Sequence, residues 1–262
     1  MGELAVILVW PALAGYLEAA VAYVGDGVRP GRLSRFAIWG VRIGWLAQTA
    51  LLVVQATRAE GFPWATWAGS LNLFVWLVVG AYLIWGCRSP FRLLGLAIMP
   101  LAVALFALAG LAGGVGSQRR SELGDVFLAF HVGLVLAAFA GFTLAAGLAG
   151  LYLWQERRLK QRAPGVLRQR APSQEALDRL TARTIAVSLP VLTVGLAIGL
   201  SRLVVDGGGF DPLMAVALVM WAAYAGFVLL RYEAGWRGRR TAYLAVAGLA
   251  FVLASLIPVS HF

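Results

Sequence analysis

Cysteine occurs once in this 262-residue chain, at Cys87, and histidine only twice, at His131 and His261. One thiol cannot form an internal disulfide, a CxxC redox pair or a cysteine zinc site, and it leaves no CxxCH motif for covalent haem attachment. Charged residues make up only 13% of the chain, too few to solvate the surface of a soluble domain. No repeat of 20–50 residues is present, so a solenoid or array is excluded. Met1 to Val24 is apolar but lacks a basic leading segment and carries Glu3. It is read as a retained first helix rather than a secretion signal.

What the chain has in abundance is apolar sequence, 61% by composition. About 20 residues at 1.5 Å each cross a hydrocarbon layer of about 30 Å. Apolar runs of that order occur eight times, near 3–24, 36–56, 67–87, 93–115, 125–154, 184–205, 212–232 and 241–260. The expectation is an all-α polytopic bundle of eight transmembrane helices, forming a single integral-membrane domain over 1–262. Residues 155–183, between spans five and six, form the one long polar loop and hold eight basic residues. After Pro172 that loop can turn helical, with Ser173 as N-cap and Glu175 in the first turn.

The net charge of +10 suggests nucleic acid at first sight, but the arginines sit in short connectors without a basic stripe and interleaved aromatics, so no nucleic-acid partner is expected. Their distribution reports orientation instead. Connectors at the ends of spans one, three, five and seven hold 3, 2, 8 and 4 Lys and Arg, against 1, 2 and 1 at the ends of spans two, four and six. The positive-inside rule therefore places the odd connectors in the cytoplasm and both termini outside, with membrane lipid as the chain's solvent.

Within the spans, small residues four apart in span five (Ala137, Gly141 and Ala145; Ala146 and Gly150) allow close helix approach. Trp64 and Trp67, in the segment RAEGFPWATW, suit headgroup depth on the outer side. Glu18 and Arg42 are the two intramembrane charges, each about 9 Å from the cytoplasmic end of its span, and are expected to pair.

The topology puts His131 about six residues into span five from the outside, roughly 9 Å below its start, and His261 at the outer end of span eight. Two imidazoles at one membrane face can complete an iron already held by four porphyrin nitrogens. The same positions suit a helix-packing histidine and a terminal one. Zinc or copper would need further ligands, and the outer side offers only Glu122, Asp125, Asp206 and Asp211. A haem b also brings two propionates, for which Arg58, Arg119, Arg120 and Arg202 are the outer-side cations. Each of these suits an interfacial anchor equally. The outer aromatics Trp10, Trp64, Trp67, Phe127, Phe130 and Phe210 can stack on a porphyrin or sit among lipid headgroups.

Four segments carry a family resemblance: GFPWATWAGSLNLFVWLVVGAYLI at 61–84, LYLWQERRLK at 151–160, SQEALDRLTARTIAVSLPVLTVGLAIG at 173–199, and GWRGRRTAYLAVAGLAF at 235–251 before the terminal SHF. In order and spacing the chain resembles the cytochrome c biogenesis haem-handling membrane proteins of the CcsA and HemX type, relatives of CcmC. The resemblance implies that His131 and His261 jointly hold haem on either side of a tryptophan-rich segment, the WWD motif, for delivery to an apocytochrome. The matching segment here, DGGGFDPLMAVALVMW, keeps Asp211, Pro212 and Trp221 but not the motif's tryptophans. Relatives also often have histidines where this chain has Gln48 and Leu229, so the resemblance implies one outer haem and no inner relay.

The implied function is haem binding for cytochrome c biogenesis in the bacterial inner (cytoplasmic) membrane, with a membrane or periplasmic cytochrome c maturation partner. Bond-forming chemistry would belong to the porphyrin and the partner's thiols, which leaves enzyme status open. Two other readings fit the residues: a bis-histidine b-type electron-transfer protein, and a haem-free assembly or regulatory subunit.

Overall fold

The computed structural model describes residues 3–28, 34–58, 64, 66–85, 94–114, 126–161, 172–206 and 212–255. These form helices α1 (Glu3–Val28), α2 (Ser34–Arg58), α3 (Trp67–Trp85), α4 (Gly95–Leu111), α5 (Val126–Lys160), α6 (Gln174–Asp206), α7 (Pro212–Tyr232) and α8 (Arg239–Ser255), and no strand occurs among the described residues. Each helix corresponds to one expected span. Helical backbone closes its own hydrogen bonds, which is what hydrocarbon demands of a crossing segment. Among the described residues six helices are long and apolar enough to cross a membrane, α1, α2, α3, α5, α6 and α7. α4 and α8 have 17 residues each. The chain is a multi-pass helical membrane protein.

α5 and α6 are longer than expected, at 35 and 33 residues, or about 50 Å each at 1.5 Å per residue. Both exceed a hydrocarbon core of about 30 Å. The helix expected after Pro172 exists, and Ser173 Oγ accepts the Ala176 N–H at 3.2 Å. It does not stop before span six but continues into it as one helix through Pro190.

The chain divides into two compact units, residues 1–129 and 130–262. In the first, α1 and α2 touch through glycine. A Cβ on Gly15 would lie 2.7 Å from Gly44 N and 2.8 Å from Gly40 O, and one on Gly40 would lie 2.8 Å from Gly15 O. α2 and α3 meet through Trp45 and Trp76, stacked at 5.3 Å and 13°. Trp45 Nε1 donates to Trp76 O at 3.1 Å, and Trp76 Nε1 to Thr49 Oγ1 at 2.8 Å. Glu18 and Arg42 do not pair. Both side chains are exposed, and the Arg42 guanidinium lies 5.5 Å from the Trp39 ring centroid instead. Cation–π contact with a neighbour one turn back is available locally, whereas pairing would need two helix faces to coincide.

In the second unit α5 rests on α6 where Gly141 abuts Ser188, so one of the expected small residues does serve close packing. Gly150 has no neighbour within 4 Å of its would-be Cβ. Phe142 on α5 stacks on Tyr224 of α7 at 3.7 Å and 9°, and Gly248 of α8 leaves room for the Tyr224 hydroxyl. At one end of α6, Asp178 ties three elements together. Its carboxylate accepts from Arg231 Nη1 and Nη2 (3.1 and 2.8 Å), the Gly238 N–H (2.9 Å) and the Thr241 hydroxyl (3.2 Å). Gly238 takes part with φ +70°, a conformation that disfavours any residue bearing a Cβ.

Candidate functional site at His131

His131 is the sixth residue of α5 and is half-buried against α6. Its Nδ1 lies 2.6 Å from the carbonyl oxygen of Gly195. A carbonyl only accepts, so Nδ1 carries a proton, and in the neutral imidazole Nε2 then keeps its lone pair. Among the described residues Nε2 has no hydrogen-bond partner. This is the arrangement that metal-ligating histidines adopt, one ring N–H held by a backbone acceptor and the other nitrogen left for the metal.

The ring reaches Gly195 because α6 has no side chain one turn further on. A Cβ on Gly199 would press against His131 Cε1 and stand 2.8 Å from Nδ1 and 3.2 Å from Nε2. The imidazole therefore lies directly over the Gly199 backbone. Gly195 itself allows the helices to approach, since its Cβ would lie 3.1 Å from Val135 Cγ2 and 3.3 Å from Leu134 Cβ. Arg202 belongs to α6 one turn beyond Gly199. One imidazole nitrogen of this kind fits an axial position of an iron porphyrin, a place that histidine commonly fills.

Other expected site residues are placed as follows. His261, Arg119, Arg120, Phe210 and Asp211 lie outside the described residues. Arg58 ends α2 and Trp67 begins α3. Trp64 is half-buried and turned into its own unit, its Nε1 donating to Gln55 Oε1 at 3.2 Å and its carbonyl accepting from Ser70 Oγ at 2.7 Å. Phe130, one residue before His131, is 61% exposed.

Sequence reasoning did not find the polar chain to which Trp64 belongs. Tyr16 OH donates to Gln48 Oε1 (2.5 Å), and Gln48 Nε2 donates to the backbone oxygen (3.0 Å) and Oδ1 (2.8 Å) of Asn72. Asn72 Nδ2 then donates to Gln55 Oε1 (3.3 Å), and Gln55 Nε2 to Gly114 O (3.0 Å). Gln48 and Gln55 are seven residues apart on one face of α2, a spacing that could have signalled a shared partner. Gln48 is fully buried and both ends of its amide are bonded, so the residues around it do not fit a porphyrin. Leu229, an alkyl side chain 61% exposed, offers no ligand.

With the helices and the histidine placed, comparison with known proteins is decisive at the level of family. The family model described as "Cytochrome C assembly protein" matches residues 64–259. The chain belongs to the cytochrome c assembly protein family. Among curated relatives, the cytochrome c biogenesis protein CcsA of Synechococcus sp. (strain CC9605) is 26% identical over 250 residues, covering 84% of this chain and 82% of its own. CcsA of Prochlorococcus marinus (strain MIT 9303) is 27% identical over 252 residues, covering 84% and 79%. CcsA of Synechococcus sp. (strain WH7803) is 25% identical over 292 residues, covering 97% and 91%. This cytochrome c assembly protein is thus a divergent member of the CcsA type, and its matched region contains all of α3 to α8 and His131.

Proposed function

We propose that the protein handles haem in cytochrome c biogenesis, holding one haem b at the outer side of the bacterial inner membrane with His131 and His261 as axial ligands. Both termini then lie outside and all eight helices cross, the short α4 and α8 included. This reading follows the distribution of basic residues along the chain. The haem would supply the reactive vinyl groups, and the chain's own residues would bind and orient it. Arg202, one turn beyond Gly199 on α6, would meet a propionate. Phe210 would stack on the ring, and Asp211 would belong to the same cofactor surround. The recipient would be a membrane or periplasmic maturation partner carrying the acceptor thiols.

The observation that supports this most is the Nδ1 bond from His131 to Gly195. With Nδ1 taken up by the carbonyl, Nε2 is the ring nitrogen left to meet an iron. The test is the absorption spectrum of detergent-purified wild type beside His131→Ala and His261→Ala. The expected result is a haem Soret band in wild type that is lost or shifted in both variants. Equal haem content in all three would remove the proposal.

A further inference from the structure

We infer that Gly195 and Gly199 form a seat on α6 that holds His131 in its Nδ1–H tautomer, which makes Gly199 a positioning residue for the iron ligand. The inference rests on the haem reading for its purpose, but its geometry stands on the helix pair alone. Free neutral imidazole ordinarily favours the other tautomer, with the proton on Nε2, so the arrangement requires a cause. The Gly195 carbonyl is that cause, because at 2.6 Å it can only be satisfied by an N–H.

The two glycines do different work. Gly195 lets α5 approach closely enough for its carbonyl to meet the ring, since its would-be Cβ already lies 3.1 Å from Val135 Cγ2 and 3.3 Å from the Val135 nitrogen. Gly199 gives the ring its place, and a methyl there would overlap the imidazole itself. The easiest relief is rotation of His131 away from α6, which breaks the Nδ1 bond. Gly133, two residues from His131 on the same helix, has nothing within 4 Å of its would-be Cβ and serves as the control.

The first experiment is ¹⁵N NMR of the haem-free full chain in detergent, labelled at histidine, in a His261→Ala background so that only His131 reports. Nδ1 is expected to be pyrrole-type and Nε2 pyridine-type, and the reverse pattern overturns the seat. Gly199→Ala is expected to move the ring toward the Nε2–H form and, in a background retaining His261, to weaken haem binding by about 10–100-fold, as loss of a ligand-orienting partner does. Gly133→Ala should change neither. If Gly199→Ala keeps both the wild-type tautomer and the wild-type haem affinity, the seat is refuted while the haem reading survives. If wild type takes up no haem, the haem reading fails and the tautomer alone decides the seat. The wild-type tautomer also decides it should Gly199→Ala not fold.

Discussion

Asp178 and Arg231 face each other across α6 and α7 in a two-pronged ion pair, with side chains only 15% and 12% exposed. Paired bonds of this kind fix orientation as well as charge. Asp178→Asn keeps an oxygen for Gly238 and Thr241 but leaves the guanidinium without a counter-charge. The expected loss is about 2–3 kcal/mol of stability, read as a lower unfolding temperature in detergent. Pairing the change with Arg231→Met should be milder than the sum of the two single changes, because the cation left unmatched is then gone. Strict additivity would mean the two residues do not interact.

Gln48 is held on both sides, by Tyr16 and by Asn72. Gln48→Leu, close to it in volume, leaves a buried hydroxyl without its acceptor and a buried amide oxygen without its donor. Each costs about 1–3 kcal/mol. Adding Tyr16→Phe to Gln48→Leu should recover part of the loss in thermal unfolding. No recovery would show that the hydroxyl finds another partner.

Gln55 gathers Trp64, Asn72 and the end of α4 on one amide. Gln55→Leu should loosen the indole of Trp64 without unfolding α2. Fluorotryptophan ¹⁹F NMR, with the Trp64 signal assigned by Trp64→Phe, should show that resonance shifting while those of Trp45 and Trp76 stay. An unmoved Trp64 signal would count against the amide as its anchor.

Gly15 and Gly150 offer a matched pair on two helices. At Gly15 the obstacle to a Cβ is backbone, at 2.7–2.8 Å, which cannot turn aside. Gly15→Ala must therefore push α1 from α2 and destabilise by about 1–3 kcal/mol, the range for overpacking. At Gly150 the space is open, so Gly150→Ala should be neutral or stabilising by up to about 1 kcal/mol. Thermal unfolding of the two variants side by side checks the opposite signs.

The helices were legible because apolar runs and their punctuation are local, and hydrocarbon permits few alternatives to a helix. The Ser173 cap was legible for the same reason. What escaped the sequence depends on helix rotation and on partners far along the chain. Asp178 meets Arg231, Gly238 and Thr241 across more than fifty residues, and no local pattern announces such a meeting. Glu18 and Arg42 seemed matched by depth, but depth says nothing of azimuth, and both side chains turn outward. His131 was visible as a residue type, whereas its hydrogen-bond partner is a carbonyl 64 residues later. The Gly195 and Gly199 spacing was readable as a packing signal, though not as a place for a ring.

α6 carries the Asp178 clasp near one end and the Gly199 gap near the other, on one unbroken helix. The interval of 21 residues is about 32 Å at 1.5 Å per residue. Lengthwise slip of that rod would draw the carboxylate from its four donors and the Gly199 gap from the imidazole together. The register of the imidazole against α6 is thereby coupled to a charged clasp at the opposite tip.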